Sequence, residues 1–367
     1  MKPLFCLCIL LLTGTSGLAA ESKPAWQVEW EKTVAAAKEE RQVVIYHGVS
    51  SGLPIDAGVF QKRFPEIKVV AVGGDPVQRI LSERRAGKYL ADVIMGGTTQ
   101  PLSLYSAKAL DSIRDIMILP EVLDESKWWG GKHYYLDPER KYAFGFIGKP
   151  DSSNTAYNPN LVNPREFQSV WDFLNPKWKG KITVRDIRTP GSGTIAMRMF
   201  YYHPKLGPEY IRRLFGEMDI TLYREQRQGV DWLVSGKYPL CFFCPNVEIG
   251  RAQRQGLTIE VFGLMREGAN ITSSSGNIGF VNRAPHPNAG KIFLNWLLSR
   301  EGQIVVQTEY AKAMTGTSNS RRIDIPKDMI PAADRLQEGI EYMAVDTLPM
   351  EPVMKLFNET LAKAGRG

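Results

Sequence analysis

Arg188 leads into Thr189-Pro190-Gly191-Ser192-Gly193-Thr194, and a helical pattern follows as far as Tyr202, where Pro204 ends it. Unpaired backbone N–H groups at a helix start, together with the helix dipole, favour an anion. An arginine just upstream adds a planar fork of donors that suits a phosphate, phosphonate or carboxylate. A plain helix cap beside a solvated arginine has the same spacing, so both readings stand at this level. Ser50, Ser51 and Thr98 supply neutral donors in two other polar loops, each placed after a short apolar run. Arg227, Asn246, Ser275 and Asn277 lie near expected strand ends or crossings, where turn and surface roles compete with ligand contact. Tyr142 and Phe144 suit either a cleft wall or the core.

Catalytic patterns are not found. The chain has no His-Glu-x-x-His zinc motif, no Gly-x-Ser-x-Gly elbow and no phosphate-loop lysine signature. Its four histidines, His47, His133, His203 and His286, are not set beside Ser192 by any recognisable pattern. No catalytic residue, cofactor or metal site is therefore expected. Cys241 and Cys244 form a Cys-Phe-Phe-Cys sequence in which Tyr238 to Phe243 reads as a strand. Residues three apart in a strand point to opposite faces, which opposes a bridge unless the chain turns at Cys244-Pro245. Two buried thiols and a disulfide both remain open, while zinc would need further ligands.

These residues need elements to position them. A helix is expected over Trp26 to Arg41, then a strand at Val43-Val44-Ile45-Tyr46, a helix through Phe60 and Phe64, and a strand from Ile67 to Val72. Asp75 caps a helix with Pro76 in its first turn, placing Val77, Ile80 and Leu81 on one face. Ala91 to Met95 is a third strand, ending in Gly96-Gly97-Thr98-Thr99. Alternating strands and helices build a parallel α/β sheet, whose ligands sit beyond the strands' carboxyl ends. Both polar loops, 47–52 and 96–99, occupy that place.

Tyr142 to Gly148 reads as a crossing segment, and a second α/β unit follows. It contains a short helix at Ser169 to Leu174, a strand at Lys181 to Val184, the 188–194 loop, a helix ending at Trp232 to Ser235, and a strand at Pro239 to Phe243. Asn277 to Val281 returns the chain to the first unit, and Ile292, Phe293, Trp296 and Leu297 show helical spacing.

The chain's 367 residues exceed what a single core usually organises, so two lobes are the default. Hydrophobic residues make up 43%, an ordinary globular content. The formal charge of +7 is spread among acids, as in Arg84-Arg85, Arg212-Arg213 and Arg321-Arg322, which opposes a nucleic-acid groove. At the N-terminus, Lys2 precedes an apolar run from Leu4 to Leu12 and a small-residue exit at Gly17-Leu18-Ala19-Ala20. That order is a secretory signal peptide, cleaved after Ala19 or Ala20, and the run is too short to span a bilayer permanently.

The order of motifs resembles a known family. Val43 to Tyr46 before a polar loop, Phe60…Phe64-Pro65-Glu66-Ile67-Lys68-Val69, and Ala86-Gly87-Lys88…Ala91-Asp92-Val93 are similar to the opening of type II periplasmic binding proteins of the ferric-iron and polyamine-like branch. Tyr157-Asn158-Pro159, Trp171 to Leu174 with Lys177 to Ile182, and Ala284 to Ala289 with Trp296 to Gln303 continue the match, over roughly residues 40 to 310.

The resemblance implies an α/β protein with two Rossmann-like lobes joined by crossing strands. On that scheme residues 1–20 are the signal peptide, 21–145 with 278–320 form one lobe, 146–277 the other, and 321–367 C-terminal helices packing on them. It implies a monomeric, non-catalytic periplasmic receptor that delivers a small solute to the permease and ATPase of an ABC importer, without nucleic acid. Ferric-iron members hold metal with adjacent tyrosines, a histidine and a carboxylate. At the matching places this chain has Asn246-Val247, Ser50 and Gly97. The expected ligand is therefore an organic anion held by Ser50, Ser51, Thr98, Arg188, Ser192, Gly193, Thr194, Arg227, Asn246 and Asn277. A ferric-iron carrier, an enzyme and a signalling receptor on the same fold are the alternatives.

Overall fold

A computed structural model describes residues 23–48, 51–151, 155–189, 193–313, 319–332 and 335–366. Helix α1 (Ala25–Glu40) ends at Arg41, whose left-handed backbone (φ 63°) turns the chain straight into strand β1 (Gln42–His47). Short helices α2 (Leu53–Asp56) and α3 (Val59–Arg63) lead to β2 (Lys68–Gly73). In α4 (Pro76–Arg85) the Asp75 carboxylate accepts a hydrogen bond from Gln78 N at 3.2 Å, and Val77 and Ile80 are buried, as the capping pattern predicts. Strand β3 (Val93–Gly96) is buried throughout, because it lies between two neighbours and is covered on both faces. Helix α5 (Thr99–Ser106), β4 (Leu110–Asp111), α6 (Pro120–Leu123) and β5 (Ala143–Gly145) complete this stretch.

The chain then crosses through β6 (Lys149–Asp151) into a second sheet. Its elements are β7 (Ala156–Tyr157), β8 (Ile182–Arg185), α7 (Gly193–Tyr202), α8 (Gly207–Glu217), β9 (Thr221–Tyr223), α9 (Gln226–Val234), β10 (Leu240–Phe242), α10 (Asn246–Arg254) and β11 (Glu260–Val261). Strand β12 (Ala269–Thr272) crosses back, and β13 (Asn277–Val281) rejoins the first sheet. Helices α11 (Pro287–Leu298) and α12 (Arg300–Ala313) follow, then β14 (Tyr342–Met343) and α13 (Glu351–Lys363).

The first sheet runs β2-β1-β3-β13-β4, with β5 also paired to β13. Strands β1, β2 and β3 are parallel, whereas β13 is antiparallel and sets Asn277 opposite Gly96. The start of β13 therefore lies at the carboxyl end of β3. The second sheet runs β11-β7-β10-β8-β9, with β8, β9 and β10 parallel. A small sheet, β14-β12-β6, forms where the chain crosses.

Each large sheet has its own core. Phe60 meets Phe293 and Trp296 at ring separations of 5.2 and 5.3 Å, so the apolar face of α11 closes the first sheet. Phe173, Phe242 and Phe262 form the second core, and Phe357 of α13 packs edge-on against Phe215 of α8 at 4.9 Å. Such edge-to-face pairs each add about 1 kcal/mol beyond the area they bury.

Tertiary structure decides two points that the local sequence left open. Cys241 and Cys244 form a disulfide, with Cα atoms 6.0 Å apart. Phe243 takes a left-handed conformation (φ 59°), and that turn brings the second sulfur back to the face of the first. The strand alternation that opposed a bridge stops one residue too soon. Arg322 is the second, a charge taken into the interior. It is 0% exposed, its Nε and Nη2 donate to Asp324, its Nη1 donates to Leu298 O, and Glu121 lies 3.2 Å from Nη2.

Candidate functional site

In the second sheet, the parallel strands β8, β9 and β10 send their carboxyl ends into the starts of α7, α9 and α10. Asp186, one residue beyond β8, is only 1% exposed and accepts a fork from Arg188, with Nε at 2.9 Å from Oδ1 and Nη2 at 2.9 Å from Oδ2. The Arg224 Nε adds a third charged donor at 3.2 Å. Burial alone would raise the Asp186 pKa, but hydrogen bonds from the Arg188 side chain and backbone and from Arg224 outweigh it and hold the carboxylate below its usual range. The same fork raises the pKa of Arg188. Two guanidiniums on one carboxylate leave one positive charge in excess. Arg188 remains 34% exposed and Arg224 69%, so the surplus faces solvent.

Gly193 opens α7 where a side chain would collide with its packing. A Cβ there would sit 2.9 Å from Ile187 and 3.1 Å from Phe243. Thr194 follows it, half-buried. Arg227, in the first turn of α9, is engaged by Asp231 at 2.7 Å and by Glu248 at 3.7 Å. Asn246 begins α10. Ser50 and Ser192 lie outside the described residues.

In the first sheet, Ser51 is buried and donates to Ser275 O at 2.9 Å, tying the loop after β1 to the turn before β13. Asn277 donates through Nδ2 to Gly96 O and Ser274 O, both at 3.0 Å, which pins the carboxyl end of β3. These two polar residues brace the loops. Thr98, half-buried before α5, donates to Asp346 Oδ2 at 3.3 Å. An open depression of about 430 Å³ beside it is lined by Gly74, Asp75, Gln78, Thr99, Gln100 and Ser103, at the carboxyl ends of β2 and β3. A second depression, about 340 Å³, lies among residues 166–178 and Arg213, towards the amino end of β8, away from where a ligand is expected in such sheets.

The small crossing sheet carries a group that sequence reasoning missed. Asp346 Oδ2 also accepts from Thr272 of β12 at 2.8 Å. The Arg321 guanidinium stacks over the Tyr134 ring, 3.7 Å from its centroid, and its Nε donates to Ile147 O at 2.7 Å. Arg321 showed in the sequence only as half of an arginine pair, and Asp346 as one acid in the C-terminal stretch. Neither carried a spacing signal, because tertiary structure brings them together from opposite sides of an unpatterned segment.

The histidines serve the framework. The His47 ring covers Gly52 and Gly73, His133 bonds Val122 O at 2.8 Å, His203 bonds Glu267 O at 2.9 Å, and His286 pairs with buried Asp92 at 3.0 Å. Tyr201 and Tyr202 stand at the last turn of α7, where the Tyr202 hydroxyl donates to Pro349 O at 2.9 Å. Among the described residues, no group of three or more histidine, cysteine, aspartate or glutamate side chains converges as a metal site.

Two α/β lobes, each with loops at its strands' carboxyl ends and joined by crossing strands, define the type II periplasmic solute-binding protein fold. Solved structures share it. The chain is similar to a putative extracellular solute-binding protein from Bordetella parapertussis, with TM-score 0.65, 14% identity, and 88% of this chain and 99% of that one covered. It is also similar to Trichodesmium IdiA (FutA) in complex with iron and citrate, with TM-score 0.63, 16% identity, and coverage of 89% and 100%. AfuA from Actinobacillus pleuropneumoniae, with fructose-6-phosphate bound, matches at TM-score 0.53 and 17% identity over 89% and 99%. At these identities the likeness establishes the fold. No family model matches the sequence, and no curated protein does.

Proposed function

We propose that this chain is the periplasmic substrate-binding component of an ABC importer, capturing a small organic anion between its lobes and delivering it to the permease and ATPase. The observation that carries the choice of an anion is the pair Arg188 and Arg224 sharing buried Asp186 beside the start of α7. A surplus positive charge and the positive end of a helix dipole at one strand end favour a phosphate, phosphonate or carboxylate. Arg188, Ser192, Gly193, Thr194, Arg227 and Asn246 would act from the lobe of residues 146–277. Ser50, Ser51, Thr98 and Asn277 would shape the other side, with residues 21–145 and 278–320 as its lobe and 321–367 packing on both. The protein acts as a monomer without catalysis.

Residues 1–20 act as the signal peptide in this reading. Among the described residues no helix is long and apolar enough to cross a membrane. Sequencing of material from the periplasmic fraction should find Ala20 or Glu21 first, and Met1 retained on cytoplasmic protein refutes export.

Ferric iron is the second reading, because the similar Trichodesmium protein is described with iron and citrate. Asn246-Val247 and Gly97 stand where tyrosines and a carboxylate would be needed, so ferric citrate should give no tyrosinate-to-iron colour. A thermal-shift screen of the mature protein against phosphonates, sugar phosphates, carboxylates, polyamines and ferric salts decides between the two. A ligand specific to the folded state adds about 2.7 kcal/mol of stability at a hundredfold excess over its Kd. Stabilisation by ferric salts alone, with colour, overturns the anion reading, and turnover of a bound solute overturns the non-catalytic one.

A further inference from the structure

We propose that the crossing sheet provides a binding site for a zwitterion, with Arg321 taking its carboxylate and Asp346 its protonated amine. The proposal rests on the reading that the chain binds a solute between its lobes, and it adds a second charge of opposite sign to that solute.

Arg321 is held rigidly. Its backbone N–H donates to Phe146 O and its carbonyl accepts from Trp129 N, both at 2.8 Å. The side chain is 5% exposed, fixed at Nε by Ile147 O and against the Tyr134 ring, yet its Nη2 has no partner. Asp346 shows the converse. Its Oδ2 accepts from Thr272 and Thr98, while the buried Oδ1 makes no full hydrogen bond and faces only the Asn270 amide, which is near enough to lower the Asp346 pKa and whose Nδ2 is likewise unpartnered. The buried Ser273 hydroxyl is also unpartnered, and it adjoins Tyr134 across Gly145, where a Cβ would lie 2.7 Å from the tyrosine ring and 3.1 Å from Ser273 Cβ.

Buried charged groups left unpartnered are costly, so a donor and an acceptor kept this way call for an occupant that satisfies both. The two charges influence each other, and among the described residues no ion pair joins them. Burial lowers the Arg321 pKa to about 10 and raises that of Asp346, the mark of two ions short of compensation.

The pair sums to zero charge, which selects the ligand class. A simple carboxylate would satisfy Arg321 and be repelled by Asp346. A simple amine would meet the reverse conflict. An amino acid, with both groups on one short skeleton, satisfies both.

The test compares glycine, β-alanine and 4-aminobutanoate with propanoate and propylamine by calorimetry and thermal shift on the mature protein. At least one zwitterion should bind tenfold or more tighter than either single-charge compound. Asp346→Asn should weaken that zwitterion at least tenfold while strengthening propanoate, an inversion that a folding defect does not produce. Arg321→Lys keeps the charge but loses the fork, and should weaken zwitterion and propanoate together. Propanoate binding as tightly as the zwitterions, no binding by any probe, or an unchanged preference in Asp346→Asn overturns the proposal. If an organic anion binds in an Arg188-dependent way while Asp346→Asn changes no preference, the solute-binding reading stands and the zwitterion falls alone.

Discussion

Asp186 and Arg188 are joined by a two-pronged ion pair in which the carboxylate is buried and the guanidinium reaches solvent. The arginine is thus oriented before any ligand arrives, and Arg224 keeps the local charge positive. Arg188→Ala should weaken binding of an organic anion by roughly tenfold to a hundredfold, the worth of a charge-assisted contact of about 1.5–3 kcal/mol. It should also cost about 1–3 kcal/mol of stability, because buried Asp186 keeps only the residue 188 backbone N–H and the exposed Arg224. The Asp186 pKa is depressed in the fold, so this stability is present above the unfolded value of about 3.9 and is lost as pH falls through the folded one. Calorimetry and urea denaturation check both parts. Unchanged affinity would reduce the 188–194 loop to a helix cap.

Arg322→Ala should act on stability through the framework. Removing a fully buried guanidinium leaves Asp324 and the Leu298 carbonyl without their donor. Because the carboxylates left behind are partly exposed, the cost is about 1–3 kcal/mol. A urea midpoint within error of the wild type would show that the segment around Arg322 contributes little to the fold.

The Cys241–Cys244 bridge closes a very short loop, so its effect on the unfolded chain is small, about 2 kcal/mol. Reduction should lower the melting temperature by several degrees. Protein lacking residues 1–20 should show no free thiol, because Cys241 and Cys244 are then its two cysteines. Both sulfurs adjoin the buried Tyr223 hydroxyl, at 3.6 and 3.8 Å. Titration of two free thiols in denatured, unreduced protein would refute the bridge.

Burial raises the Asp346 pKa, so its folded form holds a proton at higher pH than its unfolded form. Its contribution to stability is full below the unfolded value of about 3.9 and is lost as pH rises through the folded value. Asp346→Asn should therefore be more stable than wild type near about pH 7, with the gap closing towards about pH 4. A gap that widens in acid would mean that Arg321 stabilises the carboxylate more than burial penalises it. Paired urea titrations across that range measure the sign directly.

The elements of both lobes were legible because their signals are local. The Asp75-Pro76 cap, the buried run of β3 and the helical spacing of Ile292, Phe293 and Trp296 each appear where periodicity places them. The same holds for the return through Asn277, whose nearly continuous apolar run matches a strand covered on both faces. The disulfide was not legible, since it depends on one left-handed residue, Phe243, which no neighbour in sequence requires. The two arginines at 321 and 322 look alike in the sequence. Only the packed structure distinguishes them, by placing carboxylates against Arg322 and leaving the Nη2 of Arg321 open. Asp346 joins that site across 74 residues from Thr272 and 248 from Thr98. Sequence alone determined the α/β elements through hydrophobic periodicity and caps, and the two-lobe plan through chain length and family resemblance, whereas tertiary structure decided which charges are paired, because charge pairing depends on distance in space and on burial.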